Sequence, residues 1–338
     1  MPIRKDRHRA EQGRRRGFQP GQESLESRIA LAIDLIDTVG NVTDPATGPG
    51  PYGVAVLNGD TQVNSALNNQ GAGYSVAYLG DTNGDRYEDV LIGAPQISQV
   101  ATPPVLGVGR GNAYLMLGSR RATSNGGTTS DFLNLRPNQS QTTTSTVQER
   151  YSRLFQLNQL NQTVPPTDDT PGFDYAGVTF TIDNNANLGA SVARAGDLNN
   201  DGREDFLIGA PGQNLAFLVY GSQNFQVPAG PAIVNLTTPV TRTNVGGVER
   251  VTVNTAGLDS LALQGIYVTV FVGPTGSNAG FSVAGAGNVY HDSTSGNQPD
   301  LVIGAPGSVG REGFAYLISG QSFTDLNTAP RAVVLQDV

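Results

Sequence analysis

The sequence predicts an all-β protein made of short strands joined by many turns. Of its 338 residues, 43 are glycine and 20 are proline, only 15% are charged, and none is cysteine or tryptophan. Glycine supplies the positive φ that tight turns need, and its share is well above the usual level of about 7%. The low charge argues against a helical bundle, and the lack of cysteine excludes a disulfide scaffold and thiol chemistry.

The second observation behind this prediction is an internal repeat. In each copy a glycine begins the segment, a second glycine follows seven positions later, and Gly-Ala-Pro ends it. An aspartate stands four positions before the glycine of every Gly-Ala-Pro. Because two spacings stay constant in three copies, we interpret them as one repeated structural unit. The copies are residues 73–95, 189–211 and 280–306.

Each unit predicts four strands. Ser-Val-Ala is short and half apolar, and the run before Gly-Ala-Pro is unbroken and apolar, as expected of a strand covered on both faces. Proline then ends the strand because it cannot donate to a ladder. Another apolar segment, closed by glycine, follows in each unit, and a further strand is expected before the units at 178–182 and 266–272. Four strands per repeat describe a blade of a β-propeller.

The repeat resembles the FG-GAP repeat of integrin α-subunit propellers. The Gly-Ala-Pro element of that family is present unchanged in all three units, and its Phe-Gly element is present in degenerate form. Its copies are Gly73-Tyr74, Leu188-Gly189 and Gly280-Phe281. The resemblance covers roughly half of the chain and implies an integrin α-like module for cell-surface adhesion or protein interaction.

Two acidic loops predict calcium binding. Each has carboxylates at positions 1, 5 and 9 and an amide at position 3, and a tight loop turns such alternate residues inward. A hard cation such as Ca²⁺, which accepts about six to eight oxygens, would relieve the repulsion between these carboxylates. Position 7 would add its backbone carbonyl, and the FG-GAP family uses its loops in this way. The predicted ligands are Asp81, Asn83, Asp85, Tyr87 and Asp89 in the first loop and Asp197, Asn199, Asp201, Arg203 and Asp205 in the second.

These loops have two other interpretations. An EF-hand needs Glu at position 12, but Ile208 stands there in the second loop, inside a predicted strand. A plain Asn/Asp/Gly turn without metal is the remaining alternative. In the first loop Arg86 occupies position 6, where the family has glycine, a place that often needs unusual φ.

The third loop departs further from the pattern. Asn288 and Tyr290 replace the first two ligands, and Asp300 lies 12 positions after Asn288 instead of eight. We therefore expect weak or no metal binding in this loop.

The N-terminal residues predict export. The net charge is −8, but the first 16 residues carry a charge of +5. The rest of the chain is therefore acidic and should repel nucleic acid. Arginines 14–16 and the segment 23–31, which contains Leu-Glu-Ser-Arg, resemble the leader of many exported planctomycete proteins. This implies a cell-surface or extracellular location; the alternative is a disordered basic arm. No apolar run reaches the about 18 residues of a membrane span, so no transmembrane span is expected.

The predicted domains follow from these pieces. A largely disordered leader covers 1–35 and a partial propeller covers 36–338, with blades at 52–119, 175–223 and 266–320 and inserts at 120–174 and 224–265. Propellers use about four to eight blades, and the strand-like segment 332–335 resembles the first strand of another unit. We therefore expect an incomplete propeller, or one with a degenerate extra blade in 119–174 or 223–265, and an open edge would invite association with a partner. In the first interval, the apolar spacing of Val147, Tyr151, Leu154 and Phe155 predicts a short helix.

The sequence predicts no enzyme. Its two histidines are His8, in the basic tail, and His291, in the degenerate loop. The serine of Ser-Val-Ala recurs in all three units, which indicates a structural position and not a nucleophile. We expect a Ca²⁺-binding interaction module with a protein or surface-glycan ligand. The alternative is a non-catalytic propeller module of a larger secreted hydrolase, because the FG-GAP resemblance extends to some phospholipases.

Overall fold

The computed structural model describes part of the chain. The described residues are 56–58, 68–69, 71–98, 105–106, 109–118, 154–157, 163–164, 173–174, 177–183, 185–225, 233–290, 298–307 and 312–335. They lie in a compact unit that spans Ala55–Val338. The predicted leader at 1–35 lies outside the described residues, as does most of the predicted insert at 120–174. Within the described ranges, no helix has the length and hydropathy of a membrane span.

The fold is all-β, as predicted, with a short helix, α1 (Ala256–Leu263). The strands are β1 (Val56–Asn58), β2 (Asn68–Asn69), β3 (Ser75–Gly80), β4 (Asp89–Ala94), β5 (Ile97–Ser98), β6 (Val105–Leu106), β7 (Asn112–Met116), β8 (Leu154–Gln156), β9 (Thr163–Val164), β10 (Phe173–Asp174), β11 (Gly177–Thr181), β12 (Ser191–Gly196), β13 (Asp205–Ala210), β14 (Leu215–Val219), β15 (Ile233–Asn235), β16 (Val240–Val245), β17 (Val248–Val253), β18 (Val268–Val272), β19 (Ser282–Gly287), β20 (Asp300–Ala305), β21 (Phe314–Ile318) and β22 (Ala332–Val334).

Three units repeat one order of strands. Each has a leading strand, three antiparallel strands and a trailing strand that pairs in parallel with the leading strand of its own unit. The leading strands are β1, β11 and β18, and the trailing strands are β8, β15 and β22. The antiparallel sets are β3-β4-β7, β12-β13-β14 and β19-β20-β21. The strands predicted before the second and third units are thus confirmed as β11 and β18.

The leading and trailing strands of one unit complete the sheet of the preceding unit. β11 pairs with β7, and β18 pairs with β14, both antiparallel. This produces two five-stranded sheets, β3-β4-β7-β11-β15 and β12-β13-β14-β18-β22. Within the described part, β19-β20-β21 stays three-stranded, β1-β8 stays two-stranded, and the units do not form a closed ring.

The glycine before each polar loop lies at a β-bulge. The ladder register shifts between Tyr78 and Gly80, and equivalent shifts occur before Gly196 and Gly287. All three glycines have positive φ, from 65° to 94°. A bulge with left-handed backbone requires glycine, which explains why the second glycine of the repeat recurs at a constant spacing.

Apolar cores lie on both sides of the second unit. One cluster joins the first two units, and in it the rings of Phe180 and Phe206 meet edge to face with centroids 5.6 Å apart. The other joins the second and third units, where Phe271 and Phe323 meet at 5.7 Å. The middle unit is therefore covered on both faces, as its apolar strands predicted.

A hydrogen bond from serine to glycine repeats at both joints between units. Ser75 Oγ donates to the carbonyl of Gly189 at 2.8 Å, and Ser191 Oγ donates to the carbonyl of Gly280 at 2.8 Å. A Cβ on Gly93 would collide with the same Gly189 carbonyl. The first residue of Gly-Ala-Pro must therefore be glycine here because the next unit approaches its backbone closely.

Three expectations about other segments are corrected. The segment 332–335 does not begin a new unit: its strand β22 is the trailing strand of the third unit. The apolar spacing of 147–155 predicts a short helix, but Leu154 and Phe155 lie in strand β8, and the residues before them are outside the described ranges. The described part of 224–265 is not a degenerate blade: it contains β15, which pairs with β11, and a two-stranded hairpin of β16 and β17 that α1 follows in sequence.

Strand β20 also differs from the prediction. Its apolar run predicts burial on both faces, whereas Val302 and Gly304 are only half-buried. The equivalent residues of β4 and β13 are buried because the next unit packs on them. Among the described residues, no unit covers this face of β20.

Candidate metal centre

The two predicted metal loops connect equivalent strands of neighbouring units. The first joins β3 to β4 and the second joins β12 to β13, in both cases directly after the bulge glycine. The corresponding loop of the third unit joins β19 to β20, and its residues 291–297 lie outside the described ranges.

The first loop is wrapped around the carboxylate of its first aspartate. Asp81 Oδ1 accepts hydrogen bonds from the backbone N–H groups of Asn83 at 3.2 Å, Gly84 at 2.6 Å and Asp85 at 3.2 Å. Asp81 Oδ2 accepts a further bond from Arg86 N at 2.7 Å. Four backbone donors therefore converge on one side chain, which holds the loop tightly closed.

The side chains at positions 3 and 5 meet next to Asp81. Asn83 Oδ1 accepts from Asp85 N at 3.0 Å, and Asn83 Nδ2 donates to Asp85 Oδ2 at 3.0 Å. Asp85 Oδ1 accepts from Tyr87 N at 2.8 Å. The structure thus brings the predicted ligands at positions 1, 3 and 5 together through alternate inward side chains.

The second loop repeats these bonds. Asp197 accepts from Asp201 N at 3.0 Å and Gly202 N at 2.8 Å, and Asn199 Nδ2 donates to Asp201 Oδ2 at 2.9 Å. The Arg203 side chain differs from the prediction, which used only its carbonyl. Its guanidinium donates to Asp201 Oδ2 at 2.5 Å, so a cation of the protein already lies beside this carboxylate.

The last aspartate of each loop has a role that the sequence analysis missed. Buried Asp89 accepts from Thr82 N at 2.7 Å and Thr82 Oγ1 at 2.5 Å with one oxygen, and from Gly118 N at 2.8 Å with the other. Asp205 accepts from Leu198 N and Gly221 N, each at 2.8 Å. We call this arrangement the aspartate clamp, because it ties the start of the loop to the glycine that closes the third strand.

The third unit keeps the clamp although its loop lacks the first two predicted ligands. Asp300 accepts from Val289 N at 2.7 Å, Tyr290 N at 2.6 Å and Gly320 N at 3.1 Å. The clamp therefore does not depend on a complete set of loop ligands. The constant spacing from this aspartate to Gly-Ala-Pro, together with the closing glycine, was the sequence signal that could have identified it.

Burial and neighbouring charges raise the pKa of two of the clamp carboxylates, Asp89 and Asp205. Burial raises the pKa of Asp89 to about 6, and the charge of Asp85 acts in the same direction. Burial also raises the pKa of Asp205 well above its usual range, and the charges of Asp201 and Asp197 add to this rise. A nearby cation would favour the ionised form of both of these clamp carboxylates.

The acidic side chains of the loops supply only part of the oxygen ligands that a hard cation would need. Carboxylate, amide and carbonyl oxygens are the ligands that Ca²⁺ takes. Among the described side chains, however, no three Asp, Glu, His or Cys residues form a metal-holding group by themselves. A bound ion would therefore need the Asn83 or Asn199 amide oxygen and the backbone carbonyl of Tyr87 or Arg203.

The first loop is also bonded to the second unit. Its Asp81 carbonyl accepts from Glu204 N at 2.9 Å, and its Thr82 carbonyl accepts from Ser222 N at 2.8 Å. The conformation of this loop therefore directly affects the hydrogen bonds that join the first two units.

Comparison with known proteins identifies the repeat of the second unit. No curated protein matches the chain at a significant level. Residues 188–227 match the family described as FG-GAP repeat, and this range includes the second loop and its clamp. The chain therefore contains an FG-GAP repeat, formed by strands β12, β13 and β14 and the segments next to them.

Proposed function

We propose that the protein is an exported, Ca²⁺-binding, integrin α-like module for adhesion or protein interaction. The observation that carries the proposal is the convergence of the oxygen-bearing side chains at positions 1, 3 and 5 in two neighbouring loops. The FG-GAP repeat at 188–227 supports a propeller-type module. The basic N-terminal segment supports export to the cell surface or beyond it.

Calcium would act on the joints between units and not on a reaction. An ion in the first loop would order Asp81 and its neighbours, whose carbonyls accept hydrogen bonds from the second unit. It would also relieve the repulsion among the loop carboxylates. The protein or surface-glycan ligand would contact other loops, and an open blade edge would provide a second place for association.

Calorimetry tests this proposal directly. We expect two calcium ions per chain, one for each of the first two loops. At a calcium concentration about 100-fold above the dissociation constant, each site would add about 2.7 kcal/mol of stability. Chelation empties both sites and should therefore lower Tm by roughly 10–20 °C, because about 1 kcal/mol shifts Tm by roughly 2–4 °C in a domain of about 150–250 residues.

Single variants locate the effect. Asp201→Ala should remove one ion from the stoichiometry and reproduce about half of the chelator's effect, whereas Glu312→Gln, an exposed carboxylate outside the loops, should change neither. Three tight sites would contradict the expectation for the third loop. Zero sites would show that the loops are plain turns.

A further inference from the structure

Two sheets of the described part, β19-β20-β21 and β1-β8, are incomplete, and together they contain the strands of one complete joint between units. At each joint between units, a leading–trailing strand pair completes the three-stranded set of the unit before it. The set β19-β20-β21 has no such pair, and the pair β1-β8 has no such set, within the described residues. Within the described residues, β21 thus has no antiparallel strand partner where β7 and β14 have one, and β1 has none where β11 and β18 have one.

The serine–glycine contact is also divided between these halves. Ser282 is equivalent to Ser75 and Ser191, but it is exposed and its hydroxyl makes no hydrogen bond within the described part. Gly73 is equivalent to Gly189 and Gly280. Its φ of 85° matches their values of 83° and 86°, yet open space lies where its Cβ would be. One chain thus has a free donor on its third unit and a free acceptor position on its first.

Apolar side chains that the joints bury are exposed on both halves. Leu317 of β21 is 40% exposed, whereas Leu218, at the same position of β14, is fully buried. Val76 of β3 is 65% exposed, whereas its equivalent Val192 in β12 is 9% exposed. In the neighbouring strand β4, Ile92 is already buried in a cluster with Leu157. The exposed apolar surface of the first unit therefore lies on β3, which carries Val76.

We propose that a second copy of the chain completes this joint. Strand β21 of one copy pairs antiparallel with β1 of the other, Ser282 donates to the Gly73 carbonyl, and the surfaces of Leu317 and Val76 become buried. The contact joins different surfaces of the two copies, so it is heterologous and must close into a ring or continue. The described part of one chain supplies three units, so two copies make six, within the about four to eight of closed propellers, and three copies make nine. The proposed assembly is therefore a dimer with two identical joints.

The inference rests on the strand repetition and on none of the calcium ligands. Loss of calcium binding would leave it standing, and a monomeric protein would leave the calcium sites standing. A measurement of molecular mass therefore tests the dimer, and calorimetry independently tests calcium binding.

Sedimentation velocity of the full chain and its variants tests the dimer. The expected mass is twice the chain mass of 35.3 kDa. Leu317→Glu and Val76→Glu should each halve the observed mass, because each damages both joints. Leu263→Glu, on exposed α1, should stay dimeric. A far-ultraviolet circular dichroism spectrum and a melting curve identify any variant that fails to fold.

Mixing the two variants distinguishes the kinds of interface. A mixture of Leu317→Glu and Val76→Glu should recover a dimer, since one of its two joints carries neither substitution. A monomeric unsubstituted protein would overturn the proposal. So would a Val76→Glu protein that stays dimeric while Leu317→Glu dissociates, because that pattern indicates two identical surfaces in contact.

A disulfide provides a second test that does not depend on weakening the interface. The chain has no cysteine, so an introduced pair reports one contact. At the joint between the second and third units, a Cβ on Gly285 would lie 3.2 Å from the Cα of Ala195. The equivalent residues across the proposed joint are Tyr78 and Ala286, close enough for a bridge.

The double variant Tyr78→Cys/Ala286→Cys should give a covalent dimer on oxidation, and neither single variant should. A single variant that cross-links to itself, an intramolecular bridge within one chain, or a ladder of higher multimers would each contradict the two-copy ring.

Discussion

At position 6 of the polar loops the backbone is left-handed, and the two loops place different residues there. Arg86 has φ of 72° and Gly202 has φ of 82°. An L-residue in this region costs roughly 1–2 kcal/mol because Cβ approaches the following carbonyl. The replacement of glycine by Arg86 marks this position in the sequence, and the structure confirms the positive φ. The first loop therefore stores strain that the second does not.

Arg86→Gly should stabilise the protein by about 0.5–1 kcal/mol, since glycine removes the strain but loses more entropy on folding. Gly202→Ala should destabilise it by about 1 kcal/mol. No atom lies within 4 Å of a Cβ at Gly202, so that change reports the backbone alone. Urea denaturation in the presence of chelator measures both effects. Equal midpoints for the two variants and the parent would contradict the strain.

Each aspartate clamp connects three pieces of one unit: the bulge, the polar loop and the end of the third strand. The clamp of the third unit serves as a natural control for the other two, because its loop lacks the first two predicted ligands. If the clamp is structural, its removal should not depend on calcium. The elements that it joins are close in space but separated by 20 residues between Asp300 and Gly320.

Asp300→Ala should lower the free energy of unfolding by about 2–4 kcal/mol, because three backbone N–H groups lose their acceptor. Gly320 N is buried, and an unsatisfied buried donor costs about 1–3 kcal/mol; the N–H groups of Val289 and Tyr290 are only partly buried and add less. The decrease in Tm should be the same with calcium and with chelator. Asp300→Asn keeps one acceptor oxygen and should retain part of the stability. A loss that vanishes in chelator would mean that the third loop does bind metal.

For the described part as a whole, the middle unit contributes to the apolar cores on both of its faces. The cluster around Phe180, Phe206 and Phe225 joins it to the first unit, and the cluster around Phe271 and Phe323 joins it to the third. Since neither core can be lost without exposing the middle unit, the three units should unfold together.

Phe206→Ala should therefore cost about 3–5 kcal/mol and keep a single unfolding transition. Val248→Ala, an exposed side chain on the β16–β17 hairpin, should change stability by less than about 0.5 kcal/mol. Differential scanning calorimetry at one fixed protein concentration distinguishes the cases. Two separate transitions for the Phe206→Ala variant would contradict cooperation between the units.

The sequence predicted the features that depend on local spacing. Glycine at the bulge, Gly-Ala-Pro at the strand end and alternate oxygen side chains in a tight loop are all set by neighbours a few residues away. Such spacing predicted the all-β class, the strands β11 and β18 and the convergence of Asp81, Asn83 and Asp85, and the structure confirms each of these.

The features that the sequence left undecided depend on partners far along the chain. The pattern of 147–155 suits a helix, yet Leu154 and Phe155 lie in β8, because pairing with β1 across about a hundred residues outweighs local propensity. The strand at 332–334 resembles the start of a unit until its parallel pairing with β18 is known.

The sequence by itself determined the repeat, the strand-and-turn class and the chemistry of the loops, because these reside in short stretches of backbone and side chain. Only the tertiary structure decided that a leading and a trailing strand complete the preceding sheet and that the last aspartate of each loop is a clamp. It also decided that Ser282 and Gly73 face no partner across a joint within the described part of the chain. Those properties arise from hydrogen bonds and burial between residues that the fold alone brings together.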